Sequence, residues 1–316
     1  MAKKVFIDGA AGTTGLEIRE RLAQRRDLTV VQLGDAERKD VAARRRALND
    51  ADLVVLCLPD AAAVEAVSLI DNPEVRVIDA STAHRVAPGW TYGFPEFAPG
   101  QYDAVARSKR VSNPGCWATA FLALTAPLVR TGLVPSQAPL TAHGVSGYSG
   151  GGKAMIEEFE RKESPAFVET VVRPYAMQLA HKHIPEMTRH AGLAHAPVFS
   201  PYVGRYYRGM IVEVPLALWS LPAKPKAYDL HAVLADTYRD RSFVSVATPA
   251  EAAAVKTLDA EMLKDTNTLK LYVFGNDGAG QARLTAVLDN LGKGASGAAV
   301  QNLNIMLGLP ETTGLV

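Results

Sequence analysis

The sequence predicts an α/β protein: a doubly wound parallel sheet over the first third of the chain, then an α+β domain with a mixed or antiparallel sheet. Three observations carry that expectation. The first 115 residues alternate short apolar runs with helical stretches over short links, as parallel strands and their crossover helices do. A glycine-rich turn follows the first of those runs directly. Beyond Cys116 the apolar runs lengthen and pair through turn-rich links, which is hairpin chemistry.

Taken in order, KVFIDG (4–9) is β-branched and bounded by glycine, a buried strand. Residues 14–25 set Leu16, Ile18 and Leu22 among charges, an amphipathic helix, and LTVVQL (28–33) is the next strand. Residues 41–49 are helical, with Arg44, Arg45 and Arg46 expected on the exposed side. DLVVLCLP (52–59) is the near-continuous apolar run of a strand covered on both faces, with Cys57 inside it as core. Asp60 is placed to cap the alanine-rich helix 61–70, and RVIDAS (76–81) is a fourth strand. In the second part, GMIVEVPLALW (209–219) is a long strand, and residues 269–289 hold two strands around the turn 275–280. Residues 227–238 form an amphipathic helix against that sheet, and a last helix, 296–307, opens behind GKGASG. Two domains meet near residue 115.

Composition narrows the function. At 48% hydrophobic and 21% charged residues this is an ordinary globular chain. Its formal net charge of +1 offers no field for nucleic acid or an anionic membrane surface. The longest apolar run, 116–129, is interrupted by Pro127 and too short to span a bilayer. Two cysteines cannot form a disulfide framework, and residues 1–9 read straight into a strand with no place for a secretory leader, so the expectation is a cytosolic protein.

GAAGTTG puts Gly9, Gly12 and Gly15 between the first strand and the first helix, where glycine permits a tight turn and close approach of a pyrophosphate to helix N–H groups. Thr13 and Thr14 add hydroxyls. The domain is therefore read as Rossmann-type. The choice between nucleotides stays open: Asp35 ends the second strand where a carboxylate would bind a ribose 2′-hydroxyl, whereas Arg38 and Lys39, just beyond, suit a 2′-phosphate.

VSNPGCW (111–117) carries the chemistry. Asn113 is a good N-cap and Pro114 suits the first helical position, so Cys116 would fall third in the helix, where the positive end of the dipole favours a thiolate. Gly115 lets a carbonyl come close, and the same turn offers N–H groups to an oxyanion. A nucleophilic thiol needs a proton partner. Among seven histidines, HKHIPE (181–186) is the densest group; read as extended by Pro185, it puts His181 and His183 on one side, with Glu186 able to orient a ring. His143 is the next candidate base, and a metal site at the histidine pair lacks a third ligand cluster. In VSGYSGGGK (145–153), Ser146, Gly147, Ser149 and Lys153 are candidates for holding a carboxylate or phosphate, a flexible lid being the plainer alternative. DASTAHR (79–85) ends a parallel strand where such sheets bind ligands, which makes Ser81 and Arg85 candidates.

Together GAAGTTG, DASTAHR, YGFPE (92–96), SNPGCW, GVSGYSGGGK, HKHIPE and DNLGKGASGAAVQNLN (289–304) resemble the N-acetyl-gamma-glutamyl-phosphate reductases in their shorter form. These belong to the wider aspartate-semialdehyde and glyceraldehyde-phosphate dehydrogenase superfamily. The resemblance implies an NADP-dependent oxidoreductase of arginine biosynthesis that takes an acyl phosphate and works as a homo-dimer or homo-tetramer. It carries the nucleophile onto Cys116, with a thioester intermediate, and the acid/base onto the HKH segment. There His183 is favoured because Glu186 follows three residues on, leaving His181 and Asn113 to contact substrate. It implies that the nucleotide domain, 1–115, reclaims residues from about 290 to 316, leaving 116–289 as the catalytic and oligomerisation domain. Gly294, Ala295 and Ser296 would then lie near the nicotinamide, and Arg38 remains the candidate for the 2′-phosphate. The rivals are an aspartate-semialdehyde dehydrogenase, a non-catalytic NAD(P)-sensing regulator and a redox sensor using Cys116.

Overall fold

The computed structural model describes residues 2–10, 12–34 and 36–316, and the chain divides into two compact units. The first comprises 1–95, 99–114 and 295–316; the second comprises 96–98 and 115–294.

The first unit begins with β1 (Lys3–Asp8), α1 (Thr13–Leu22), β2 (Leu28–Val31), α2 (Val41–Asn49), β3 (Leu53–Leu56), α3 (Asp60–Ser68) and β4 (Arg76–Asp79). It continues with β5 (Thr91–Tyr92), α4 (Gln101–Arg107) and β6 (Arg110–Ser112). The six strands form one sheet in the order β2-β1-β3-β4-β6-β5, and every pair is parallel. β3, the LVVL run, is buried along its whole length, as its continuous apolar sequence requires of a central parallel strand. Cys57 lies one residue beyond that strand, its amide bonded to the Asp8 carbonyl. Burial pushes its thiol up to about 12.

Two local expectations are corrected. Arg44 is buried, not exposed with its neighbours in α2. Its Nε and Nη2 donate to Asp8 Oδ2 at 3.2 and 3.0 Å, and its Nη1 donates to Glu65 Oε2 at 3.2 Å. The cause is Asp8, a carboxylate at the buried end of β1 that needs a counter-charge. Asp60 is the first residue of α3, and Pro59 is its N-cap. The Asp60 carboxylate accepts instead from the amide (2.8 Å) and hydroxyl of Thr82, tying the loop after β4.

The second unit opens with α5 (Cys116–Arg130), β7 (Thr141–Gly147), α6 (Gly152–Glu160), β8 (Val172–Pro174) and α7 (Ile184–Ala191). Then come β9 (Val198–Gly204), β10 (Met210–Ala217), α8 (Ala227–Thr237), β11 (Val244–Val246) and α9 (Pro249–Ala254). The hairpin β12 (Leu269–Asn276) and β13 (Gln281–Leu288) completes it. The seven strands are ordered β11-β12-β13-β10-β7-β9-β8, antiparallel except for β11–β12 and β7–β9, so the sheet is mixed. In β10, inward Met210, Val212, Val214 and Leu216 alternate with outward residues, and α5 packs on the inner face. A π-helical turn, Gly292–Ser296, leads into α10 (Gly297–Met306), which lies in the first unit against α1, α4 and β4. Among the described residues no helix is long and apolar enough to cross a membrane.

The Asp8–Arg44 pair generates a prediction. Arg44→Met is expected to cost about 3–5 kcal/mol in urea unfolding at neutral pH, because it leaves a buried carboxylate uncompensated. Burial already holds the Asp8 carboxyl above its ordinary value, with the Arg44 guanidinium opposing that shift. Without Arg44 the folded state binds a proton more readily than the unfolded state, so stability falls as pH rises and part of the loss returns on acidification. A loss that does not change between about pH 7 and about pH 5 would put its source elsewhere.

Candidate active site

In the first unit the glycine turn sits between β1 and α1. Gly9 has φ +89°, and a Cβ there would lie 2.3 Å from the Cys57 carbonyl oxygen. At Gly15 a Cβ would meet the Gly9 oxygen at 2.5 Å. Gly12 is the N-cap of α1 and donates its amide to the Gly9 carbonyl at 3.1 Å. The N-cap glycine has no side chain to cap the helix, so Thr13, Thr14 and Gly15 stand in the first turn of a helix start that fits a bound pyrophosphate. Arg38 stands in an exposed turn, its amide on the Gly34 carbonyl at 2.9 Å; Asp35 lies outside the described residues.

At the end of β4 the fully buried Asp79 organises the neighbouring loop. It accepts from the Ser81 amide (2.9 Å) and hydroxyl (2.7 Å) and lies 2.6 Å from His84 Nδ1, whose ring stacks on Trp90 at 4.0 Å. Arg85 is buried, with Nε on the Asn113 carbonyl at 3.0 Å and Nη2 on that of Ala80 at 3.3 Å. Ser296 is buried too, and its hydroxyl accepts from Arg21 Nε at 3.1 Å.

The second unit holds the thiol. α5 begins at Cys116, not at Pro114, and Gly115 is its N-cap. Two partners account for the later start. Asn113 is drawn away, with Nδ2 on the Ala295 carbonyl (2.9 Å) and Oδ1 accepting from Asn302 (3.1 Å). Glu186 Oε1 takes the Gly115 amide at 2.9 Å. Cys116 is therefore the first residue of the helix, still within the turn where the dipole favours a thiolate, and its N-cap, Gly115, has no side chain to cap it. Gly294 closes one flank: a Cβ there would stand 2.7 Å from Cys116 Cβ.

HKHIPE is a turn into a helix, not the extended segment expected. His183 is the N-cap of α7 at φ −85°, ψ −13°, and its amide donates to His181 Nδ1 at 3.2 Å. Pro185, within the first turn, needs no partner for a missing N–H, so it starts the helix rather than extending the chain. The two imidazoles still meet, edge to face at 4.8 Å. His183 and Glu186 are buried, whereas Lys182 is exposed. Sequence reasoning missed Tyr175, whose ring lies 5.8 Å from His181 and whose phenol is pushed up by burial, with Cys116 as the second cause.

The expected anion cradle does not form as a cradle. The amides of Gly147, Tyr148 and Ser149 donate to the carbonyls of Gly209, Tyr206 and Tyr207, which takes them from any ligand. Ser146 and Ser149 are buried; the Ser146 hydroxyl donates to the Gly147 carbonyl, and the Ser149 hydroxyl accepts from Asn290 Nδ2 at 2.9 Å. Lys153 is exposed on α6. His143, on β7, lies 3.7 Å from Glu213 and lines a groove of about 640 Å³ with Tyr202 and Arg283. Among the described residues no group of three His, Cys, Asp or Glu could hold a metal ion.

Two family profiles cover both units. The semialdehyde dehydrogenase NAD binding domain matches residues 4–105, and the semialdehyde dehydrogenase dimerisation domain matches 116–290. The N-acetyl-gamma-glutamyl-phosphate reductase of Burkholderia cenocepacia is 53% identical over 304 residues, 96% of this chain and 97% of its own. N-acetyl-gamma-glutamyl-phosphate reductase 2 of Nostoc sp. is 49% identical over 318 residues, 99% of each chain. The chain belongs to the N-acetyl-gamma-glutamyl-phosphate reductase family. Aspartate semialdehyde dehydrogenase II of Vibrio cholerae has the same fold, with a TM-score of 0.72 over 98% of this chain and 99% of its own at 15% identity. The motifs that resembled the reductase family in sequence therefore lie on two units matched by the semialdehyde dehydrogenase domains.

Two outcomes follow for this reductase-family site. Glu186→Gln keeps an oxygen for the Gly115 amide and should retain about tenfold more turnover than Glu186→Ala, which leaves that buried donor unmet. Equal losses would show that the charge, not the bond, matters. Brief treatment of the native protein with iodoacetamide near neutral pH, read by peptide mass spectrometry, should label Cys116 and spare Cys57.

Proposed function

We propose that this protein reduces N-acetyl-gamma-glutamyl phosphate to N-acetylglutamate semialdehyde with release of phosphate, using NADPH and Cys116 as nucleophile. The observation that carries the reading is Cys116 at the first residue of a helix whose N-cap is Gly115, in the same unit as a buried His183–Glu186 helix start. Relatives at about half identity over nearly the full chain bear the reductase name, whereas the aspartate-semialdehyde rival shares only 15% identity. A regulator without turnover has no use for a thiol so set.

The chemistry balances around that sulfur. The Cys116 thiolate attacks the acyl carbon, the carbon–oxygen bond to phosphate breaks, and inorganic phosphate leaves with the electron pair, giving a thioester. A reduced nicotinamide, when bound, supplies the hydride that the thioester carbonyl accepts. The resulting thiohemiacetal oxyanion is stabilised by first-turn amides of α5. His183 protonates that oxygen and takes the proton back as the carbonyl re-forms and the carbon–sulfur bond breaks, releasing aldehyde and thiolate. His181 and Asn113 are assigned to substrate contact. Ser81 and Ser296 are assigned to the cofactor, together with the glycine turn. At Gly12 the nearest described atom beyond its chain neighbours and its own helix would stand 3.6 Å from a Cβ, so a ligand's close approach, more than packing against other elements, calls for glycine there. Arg38 is assigned to the 2′-phosphate. The second unit, matched by a dimerisation-domain profile, would pair copies into a homo-dimer or homo-tetramer in the reducing cytoplasm, where two free cysteines persist.

Cys116→Ser is expected to abolish phosphate-dependent oxidation of N-acetylglutamate semialdehyde while NADPH still binds, measured by fluorescence titration. Near-normal turnover would end the thioester reading, and faster oxidation of aspartate semialdehyde would favour the rival. His183→Ala should lower kcat by about 10²–10⁴-fold, the usual scale of acid–base catalysis. A larger loss in His181→Ala would exchange the two roles.

A further inference from the structure

Lys293 and Glu96 form an ion pair that the reaction does not explain. Both are almost wholly buried, with side chains 1% and 3% exposed, and Lys293 Nζ donates to both carboxylate oxygens, at 2.8 and 2.9 Å. The ammonium also lies 5.6 Å from the centre of the Phe243 ring. A buried ion pair seldom stabilises a fold more than well-packed apolar residues would, so directionality is the better reason for one. Lys293 stands in the π-helical turn Gly292–Ser296, and such turns recur at functional sites.

The next residue shows what the direction serves. Gly294 lies against Cys116, where a Cβ would come within 2.7 Å of Cys116 Cβ and 3.3 Å of its Cα. Asp289 and close packing pin the first part of the turn. The Gly294 amide donates to the Asp289 carbonyl at 3.0 Å, closing a five-residue step. Asp289 Oδ1 accepts from the Leu291 amide (2.8 Å) and Oδ2 from that of Asp265 (2.7 Å). Gly292 is pressed on the Thr266 carbonyl, with no room for a side chain. Beyond Gly294 the Ala295 carbonyl and the Ser296 hydroxyl accept from Asn113 and Arg21, so the residue directly before Gly294 is the one held by the ion pair, Lys293 on Glu96.

We infer that Lys293 and Glu96 are positioning residues for the reaction, holding the π turn so that Gly294 packs on Cys116 and fixes the direction of its sulfur. This rests on Cys116 being the nucleophile, and the Cys116→Ser result tests that reading separately. Misplacing a nucleophile by about 1 Å costs as much as 10²-fold in rate, so a small slackening of the turn is enough to register.

The test compares Lys293→Met with the double variant Lys293→Met/Glu96→Gln. The single change leaves a buried carboxylate unmatched and lowers Tm; the double change removes both charges and restores most of it. If the pair positions the thiol, kcat stays about 10–100-fold down in the double variant, with KM for semialdehyde and NADP within about twofold of the parent. The maximal iodoacetamide rate at Cys116 changes with it. Recovery of kcat together with Tm would make the pair structural only and overturn the inference. Gly294→Ala tests the contact on which the inference turns: full kcat in folded protein would show that the Gly294–Cys116 packing is dispensable and would refute it.

Discussion

The bond from the Gly115 amide to the buried Glu186 carboxylate decides where α5 begins, and the place of Cys116 in the second unit hangs on that start. A helix that began at Pro114 would carry Cys116 to its third position. With Gly115 as N-cap, Cys116 is the first residue of a helix whose N-cap has no side chain of its own. The same carboxylate belongs to the first turn of α7, whose N-cap is His183. Two helix starts are thus joined through one side chain, and the sulfur and the imidazole are referred to a common support. A carboxylate at a helix N-terminus is favourable in itself, so the arrangement gains from both dipoles while fixing the site.

Buried polarity plays a matching part in the first unit. Gln301, Asn302 and Asn304 are wholly buried in α10, a helix otherwise built of small and aliphatic residues. Asn302 Nδ2 donates to the Gly93 carbonyl at 2.8 Å and to Asn113 Oδ1, so the amide that fails to cap α5 is held by the last helix. Such groups are costly to bury unless bonded, and once bonded they specify one arrangement of the chain. Arg25 extends the network, donating to Asn304 Oδ1 and to the Thr313 carbonyl.

The sheets were legible because their signals are local: β1, β3 and β4 read as apolar runs, and the β12–β13 hairpin as two strands about a glycine turn. The helix start near Cys116 was legible for the same reason, since Asn-Pro-Gly announces one, although α5 begins two residues later than expected. The errors came where a distant partner overrode a local preference. Asn113 has the best capping side chain in its stretch, but Ala295 and Asn302, about 180 and 190 residues further on, claim it. Arg44 sits among arginines whose pattern points outward, and Asp8 and Glu65, on other elements, turn it in. In the serine–glycine loop, too, distant partners decide: the 206–209 carbonyls take the amides of Gly147, Tyr148 and Ser149. A lysine within the apolar and glycine-rich stretch 284–300, or three amides on one apolar helix, was the available signal for what was missed.

Two glycines close the case for reading burial and function together. Gly9 and Gly294 each admit something that a side chain would exclude, and a residue without a side chain cannot anchor itself. In both places the preceding residue is a buried charge with a directional partner: Asp8 on Arg44, and Lys293 on Glu96. The anchoring that glycine gives up is supplied one position earlier, through bonds whose angles as well as lengths are constrained. An apolar neighbour of equal volume would fill the space, but it would tolerate rotation and slippage of the backbone by fractions of an ångström. Close approach at a turn tolerates neither, which is why the most costly side chains to bury stand next to the cheapest ones to pack.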